Sequence, residues 1–386
     1  MKNRISHAAL FSTVGALFSL SSFAQDVSIS AATLTPTPWT VSATLSEESI
    51  GEGLPVLALD RADWPSFRSG HVDNPRAWRS IRAEVTAINP GGWRLAALVR
   101  AEASLDASDN TVTLAALNAT NSRPDTARSF DLNARGQSWQ GRGIRVGTPW
   151  LKLDAAERWH WQADTQLLQL QQLRRIEFSG DLQYRGGDVF DFNAHSQRSG
   201  SNITGPFLPP SGNSGLGSSL SVALQGEPAA GWRIQLRADD LLSRLQWSDL
   251  ATDTALLNSQ VTSRAPDGSL DYAPLIQGKK ALQPIKSRIG VHWQAKASWS
   301  AFESAGQAGA VTLRADRKAN INQYWLGWDS INAGRNRLHW SAEIEPLRRA
   351  ASLGLVWRGW HALLASDGKG MGSQFRAWSV GWQAEF

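Results

Sequence analysis

Apolar and polar residues alternate along much of this chain, and the alternation is most regular at its end. Trp378, Val380, Trp382, Ala384 and Phe386 occupy every second position of the last nine residues, with Ser, Gly, Gln and Glu between them. Side chains of a β-strand point alternately to its two faces, so this spacing predicts a strand with one apolar and one polar face. Such a strand is typical of a wall that has lipid on one side and a wet interior on the other.

The same alternation recurs upstream. The clearest hairpin of the first half joins residues 81–87 to residues 93–103 through the turn Asn89–Gly92, and it is about as long as a bilayer-crossing strand pair requires. Further alternating stretches cover residues 39–45, 176–193, 220–238, 289–299, 311–315, 324–328, 338–344 and 353–364. In the last of these the parity changes at Gly359, which predicts either a β-bulge or a tight turn.

Counting these stretches predicts about 14 strands, within a range of 12 to 16, and an even number is expected of a single-chain bacterial barrel. The pattern is blurred over residues 111–117, 143–153, 167–173 and 241–284. We therefore expect an all-β fold, a transmembrane antiparallel up-and-down β-barrel.

The terminal strand resembles that of bacterial outer-membrane β-barrel proteins, whose last strand ends in an aromatic residue and alternates as this one does. The resemblance implies a location in the bacterial outer membrane, with the membrane lipids as one partner. It also implies that the barrel-assembly machinery reads Trp378, Val380, Trp382, Ala384 and Phe386 as an assembly signal.

The start of the chain predicts export. Residues 1–24 combine a basic head with Lys2 and Arg4, an apolar middle and a small-residue exit, the three parts of a cleaved signal peptide. Residues 25–386 then form a single barrel domain. The chain has no cysteine, which excludes a lipid-anchored cysteine, disulfides and thiolate metal sites.

Three long polar segments predict loops, near residues 47–74, 196–217 and 249–286. The second is rich in serine, glycine and proline and is expected to be a mobile surface loop. The third allows two interpretations: either it contains a further strand near residues 272–276, or it folds inward as a plug or constriction.

Tryptophan is abundant, with 19 residues against three tyrosines. Several tryptophans stand near predicted strand ends, which favours an aromatic girdle at the depth of the lipid headgroups. Two alternatives remain open: tryptophans that fill a soluble β-rich core, and aromatic platforms for sugar rings inside the barrel.

The predicted inward face carries charges of both signs, and such charges set the selectivity of a pore. The candidate lumen and selectivity residues are Arg82, Glu84, Arg94, Arg100, Glu102, Arg233, Arg237, Arg288 and Lys296. Formal net charge is +5, and +3 without Lys2 and Arg4, which indicates at most a weak preference for anions. The basic residues are too scattered for a nucleic-acid surface.

The favoured hypothesis is a porin-like channel for small polar or anionic solutes. The alternative is a plugged or narrow barrel that serves as anchor or export conduit of an envelope assembly. A third is a lipid hydrolase that uses His195 with Ser196 and Ser199, although this spacing fits no known motif. No catalytic residue, metal ligand or cofactor is predicted.

Overall fold

The computed structural model describes residues 38–56, 72, 74–187, 189–204, 208, 212, 214–259, 262–264, 270–272, 275–304, 307–332 and 338–386. The predicted signal peptide, residues 1–24, lies outside the described residues. Within the described part of the chain, no helix is long and apolar enough to cross a membrane.

Nineteen strands and one α-helix follow one another along the described chain. They are β1 (Thr40–Glu52), β2 (Arg76–Ile88), β3 (Arg94–Ala107), α1 (Asp109–Ala119), β4 (Arg128–Gly147), β5 (Leu151–Lys152), β6 (Trp159–Gly186), β7 (Val189–Gly200), β8 (Gly215–Gly226), β9 (Trp232–Asn258), β10 (Thr262–Arg264), β11 (Leu270–Tyr272), β12 (Ile276–Ser287), β13 (His292–Ser304), β14 (Gln307–Lys318), β15 (Ile321–Asn332), β16 (His339–Glu345), β17 (Ala350–Trp357), β18 (Trp360–Ser366) and β19 (Phe375–Glu385).

The strands close into an antiparallel barrel. β1 pairs with β2 on one side and with β19 on the other, so first and last strands meet at a seam. At two places in the wall, two successive strands lie end to end where one long strand would be expected. β7 and β8 both pair with β6 and β9. β12 and β13 both pair with β9. We use the word stave for one strand position in the wall, so that each such pair counts as one stave, and we leave out the short β5, β10 and β11. The barrel then has 14 staves, which confirms the predicted number of strands.

The two faces of the wall carry the predicted residue types. On β13 to β15, Trp293, Leu313 and Leu326 point outward and are 50%, 56% and 46% exposed. Their neighbours Thr312 and Asp316 point inward and are buried. The alternation of apolar exterior and polar interior is confirmed in this part of the wall.

The middle staves extend well beyond membrane thickness. β4, β6 and β9 have 20, 28 and 27 residues, whereas about 9 to 11 tilted residues cross the hydrocarbon core. The excess lies at the end of the barrel away from the chain termini, which we call the loop end; the opposite end is the terminal end.

A helix covers part of this extension. α1, which the blurred pattern over residues 111–117 did not predict, is capped by the Ser108 hydroxyl and packs Leu114 and Leu117 against Phe130 and Tyr184. The apolar face predicted over residues 176–184 therefore meets the helix rather than lipid, and this part of the sequence-based interpretation was wrong. Helix and lipid both require apolar side chains, so the strand pattern alone does not separate them.

The predicted loops are shorter than expected, because strands continue into them. β1 takes residues 47–52, β7 and β8 take both ends of 196–217, and β9 and β12 take residues 249–258 and 276–286 of the third segment. The described part of that third segment thus contains the further strand that was one of its two interpretations. The remaining residues of these segments lie partly outside the described chain.

The parity change at Gly359 is a tight turn. Arg358 and Gly359 connect β17 to β18 with φ values of 50° and 83°. Two consecutive positive φ values are the geometry of the two-residue hairpin turn whose twist matches paired strands. Of the two predicted possibilities, the turn is right.

Candidate functional site

The lumen contains most of the predicted selectivity residues, and there they are paired. Each inward-facing cation of the predicted set contacts a carboxylate. The pairs besides that of Arg100 are Arg82–Glu84 (2.6 Å), Arg94–Asp164 (3.0 Å), Arg237–Asp239 (2.9 Å) and Lys296–Asp329 (2.8 Å). Glu84 also binds Arg145 and accepts a hydrogen bond from Thr86 at 2.6 Å.

Arg100 forms a buried network with two carboxylates. Its guanidinium donates to both carboxylate oxygens of Asp240, at 2.9 and 2.5 Å, and to Glu102 at 2.8 Å. Arg100 and Glu102 are each 6% exposed in their side chains, and Asp240 is fully buried. A two-pronged contact of this kind fixes the geometry as well as the charge.

Asp240 was not predicted, because it breaks the alternation of its strand. Asp239 already faces the lumen, so a regular strand would point Asp240 outward. The register between β8 and β9 shifts between Leu220 and Val222, and Asp240 adopts a positive φ of 58°. This irregularity turns a second carboxylate inward. The adjacent pair Asp239–Asp240 was the one signal in the sequence.

The lumen narrows where two rings meet from nearly opposite staves. Trp78 of β2 contacts His292 of β13 edge to face, with ring centroids 4.8 Å apart. His292 Nε2 lies 3.6 Å from Glu102, and the Lys318 ammonium lies 5.5 Å from the Trp78 ring. Lys318 in turn binds Glu48 at 2.5 Å.

A small polar cavity lies beside this contact. Its volume is about 120 Å³, and its lining includes the charged side chains Glu48, Arg82, Arg100, Arg237 and Asp239. The cavity shows that the central lumen is polar where it is not filled.

Apolar side chains fill two further parts of the lumen. One cluster is Leu98, Trp139, Leu168, Leu170, Leu173, Leu245, Trp247, Leu250, Ile285 and Ile289. The other is Ile50, Trp78, Ile321, Trp325, Ala350, Ala365, Phe375 and Ala377. Sequence reasoning missed this filling, since it took the inward positions as uniformly polar; Trp78 and Trp325, both on the polar parity of their strands, were the available signals.

The wall itself also moves inward. β1 and β15 are five stave steps apart, or about 24 Å along the wall at about 4.8 Å per step. Nevertheless their Cα atoms come within 8 Å of one another. Within the described residues, wall side chains and this inward bending thus occupy much of the lumen.

One group in the lumen has the composition of a metal site. Ligand atoms of Glu102, Asp240 and His292 all lie within 4.8 Å of one another. However, the Arg100 guanidinium already bonds to both carboxylates and supplies their positive charge. The arrangement fits an ion-pair network better than a cation site.

Two predicted selectivity residues lie outside the central lumen. Arg233 sits at the terminal end and pairs with Glu227 at 3.1 Å, with both side chains more than half exposed. Arg288 is an exposed residue between β12 and β13 whose carbonyl accepts a hydrogen bond from Gln137 at 3.2 Å. The five residues of the predicted assembly signal lie on the outward face of β19 or just beyond it, along the seam with β1.

The residues of the hydrolase hypothesis are not brought together. His195 and Ser199 are four positions apart on extended β7, or about 13 Å between Cα atoms. The Ser199 hydroxyl is hydrogen-bonded to Thr252 at 2.9 Å. Ser196 points to the opposite face from His195. This arrangement lacks the contact that would let the histidine activate a serine.

A closed barrel with an apolar exterior and an ion-paired interior is the architecture of bacterial outer-membrane β-barrel proteins. No protein-family model matches this chain, and no curated protein matches it.

Among solved structures, the deltaS2S3 mutant of the TodX monoaromatic hydrocarbon channel is similar at 10% identity over 91% of each chain, with a TM-score of 0.42. The translocator domain of autotransporter NalP from Neisseria meningitidis is similar at 11% identity over 92% of this chain and 90% of that one, with a TM-score of 0.35. The Ralstonia pickettii toluene transporter TbuX is similar at 9% identity, over 92% and 90%, with a TM-score of 0.32. These values carry no inference about function, which rests on the geometry above.

Proposed function

We propose that this protein is an outer-membrane channel for small polar solutes, held closed in this structure by side chains of its own wall. The observation that carries the proposal is the central lumen: a charged band with a polar cavity of about 120 Å³, closed where Trp78 meets His292. Side chains can change rotamer far more readily than a folded plug can leave a barrel.

The charge pattern bears on which solutes would pass. A channel that prefers anions needs cationic side chains in its lumen whose charge is not balanced by a neighbouring carboxylate. In the lumen, Arg82, Arg94, Arg100 and Arg237 each face a carboxylate. We therefore propose a channel with weak charge selectivity, and the predicted preference for anions is not part of this proposal.

Delivery to the membrane belongs to the same proposal. The signal peptide over residues 1–24 would direct export, and the outward face of β19 would be read by the barrel-assembly machinery. Outward tryptophans such as Trp232 and Trp299, stacked at 6.4 Å near the terminal end, would belong to the aromatic girdle. Short turns face the periplasm in such barrels, which puts the terminal end there.

Single-channel recording in a planar bilayer tests conduction. We expect rare, brief openings for the parent protein and steady conductance for Trp78→Ala, because removing the indole opens the contact with His292. Trp299→Ala, an exposed tryptophan on the exterior, is the matched control and should behave as the parent does. The reversal potential across a salt gradient should lie near zero.

The apolar filling of the lumen favours a second candidate. If Trp78→Ala folds and both it and the parent protein stay silent at all voltages, the two apolar clusters close the barrel and the channel proposal fails. The protein would then be a closed barrel that anchors an envelope assembly, and crosslinking in cells would be the way to find its partner.

A further inference from the structure

The exterior of the barrel carries a groove where a convex wall would be expected. It has a volume of about 1010 Å³ and crosses the staves of β2, β3, β4, β6, β8 and β9. Its apolar lining includes Val85, Val99, Ile144, Leu167 and Leu216, which point outward and are 42–72% exposed. A pocket formed by outward side chains of six neighbouring staves requires that the wall bends inward along this line.

Glycines at inward positions permit the bend. On β4, a Cβ added to Gly143 would overlap the carbonyl of Leu167. On β8, a Cβ added to Gly217 would lie 3.0 Å from Leu245 Cδ2 and 3.3 Å from Leu168 Cβ. Because neither position has a side chain, the buried leucines Leu168 and Leu245 fit behind the wall. The groove is thus a product of the sequence and of the same packing that fills the lumen.

The groove is positively charged. Arg142 and Arg244 line it and are exposed, and within the described chain neither forms an ion pair. The only carboxylate of the lining, Glu84, points inward and binds Arg145. An arginine on the lipid face of a barrel is destabilising near the bilayer midplane unless an anion or water meets it.

The register puts the two arginines at nearly the same depth. Arg142 pairs with Gln169, Gln169 with Leu216, and Leu216 with Gln246, which lies two residues from Arg244 on β9. A strand residue advances about 2.5 Å along the axis of a barrel whose strands tilt by about 40°. Arg244 is twelve residues from the start of β9 at Trp232, and two of these are extra residues at the irregularity opposite β8. Both arginines therefore lie roughly 25 Å above the terminal end, near the far boundary of the hydrocarbon core.

We propose that this groove binds a phosphorylated acyl lipid of the outer leaflet. The phosphate binds Arg244 at the membrane boundary, where a guanidinium can hold two phosphate oxygens at once. An acyl chain descends over Leu216, Leu167 and Ile144 toward the bilayer centre. Arg142 extends its aliphatic stem along the groove and bonds an ester or second phosphate oxygen. The proposal rests on the outer-membrane location and does not depend on conduction.

The first experiment tests the role of the two arginines. It measures by native mass spectrometry how diphosphoryl lipid A binds to the purified barrel in nonionic detergent. We expect saturable binding that weakens at least about tenfold in the double variant Arg142→Gln/Arg244→Gln, since each lost contact joins two charged groups. Arg317→Gln is the matched control, because Arg317 is an exposed arginine on β14, outside the groove. It should bind as the parent does.

The role of the apolar lining of the groove is tested separately. Leu167→Trp fills the groove while both arginines remain, and we expect it to weaken lipid A binding as well. Heat-modifiable gel mobility confirms that each variant is folded. Unchanged binding in both groove variants would overturn the proposal, and so would equal binding of phosphatidylethanolamine and lipid A, because retention would then be that of any membrane lipid.

Discussion

At the scale of single residues, the lumen is governed by how buried charges are compensated. Arg100 neutralises Asp240 and Glu102 together, and its guanidinium also lies 5.2 Å from the Trp139 ring. Such a network contributes little net stability when intact, since desolvation offsets attraction. Its removal is costly, because the partners are left charged inside the barrel.

Replacing Arg100 tests this asymmetry. We expect Arg100→Gln to lower the free energy of unfolding by about 3–5 kcal/mol, measured by urea unfolding in micelles, because two buried carboxylates lose their counter-charge. Adding Asp240→Asn should recover part of the loss. Arg233→Gln is the control, an exposed pair whose loss should cost less than about 1 kcal/mol. A neutral effect of Arg100→Gln would mean that the network is not formed.

At the scale of elements, turns and bulges decide where strands end and which way side chains point. Gly359 ends β17 with a positive φ, and its carbonyl accepts a hydrogen bond from Gln383 on β19 at 2.9 Å. Asp240 plays a comparable part inside β9, where the irregularity opposite β8 turns its own side chain inward while the residues before and after it keep the same parity. The backbone conformation at these positions decides where a strand ends or which way a side chain points, and the regular alternation of the strands does not predict either.

Two glycines allow the turn to be tested against backbone strain alone. Gly359 and Gly368 both have positive φ, 83° and 66°. A Cβ on Gly359 would overlap the Gln383 carbonyl, whereas one on Gly368 would meet nothing within 4 Å. We expect Gly368→Ala to cost about 1 kcal/mol of strain and Gly359→Ala clearly more, as measured by urea midpoints. Equal losses would show that the contact with β19 is unimportant.

At the scale of the whole molecule, closure depends on one seam between the ends of the domain. Glu47 on the outward face of β1 is 4% exposed, and it accepts from Arg376 at 2.7 Å and from the Trp378 indole at 3.1 Å. Arg79 of β2 binds the same carboxylate at 2.7 Å. One acidic residue therefore joins three staves near the loop end of the seam.

Neutralising Glu47 should loosen the seam locally. We expect Glu47→Gln to raise amide hydrogen exchange in β1 and β19 around residues 47–50 and 375–378, because two arginines lose their shared acceptor. Glu385→Gln, an exposed acidic residue at the other end of the same seam, should leave exchange there unchanged. Identical exchange in the two variants would contradict the role of Glu47.

The sequence by itself determined the class of the fold, the approximate number of staves and the side of the wall on which most residues lie. The reason is that lipid and lumen impose a period of two on every strand, and a period is readable without any distant contact. Residues such as Leu313 and Asp316 could be assigned this way. The paired state of Arg82 and Arg237 was also within reach, since their partners Glu84 and Asp239 lie two positions away on the same face.

Only the tertiary structure decided what fills the barrel. The Trp78–His292 contact, the Arg100–Asp240 pair and the groove around Arg142 each join staves that are far apart in sequence. The apolar face over residues 176–184 likewise met α1 instead of lipid. Local patterns state which face a side chain takes, but curvature and closure of the wall decide what it meets there, and these depend on all the staves at once.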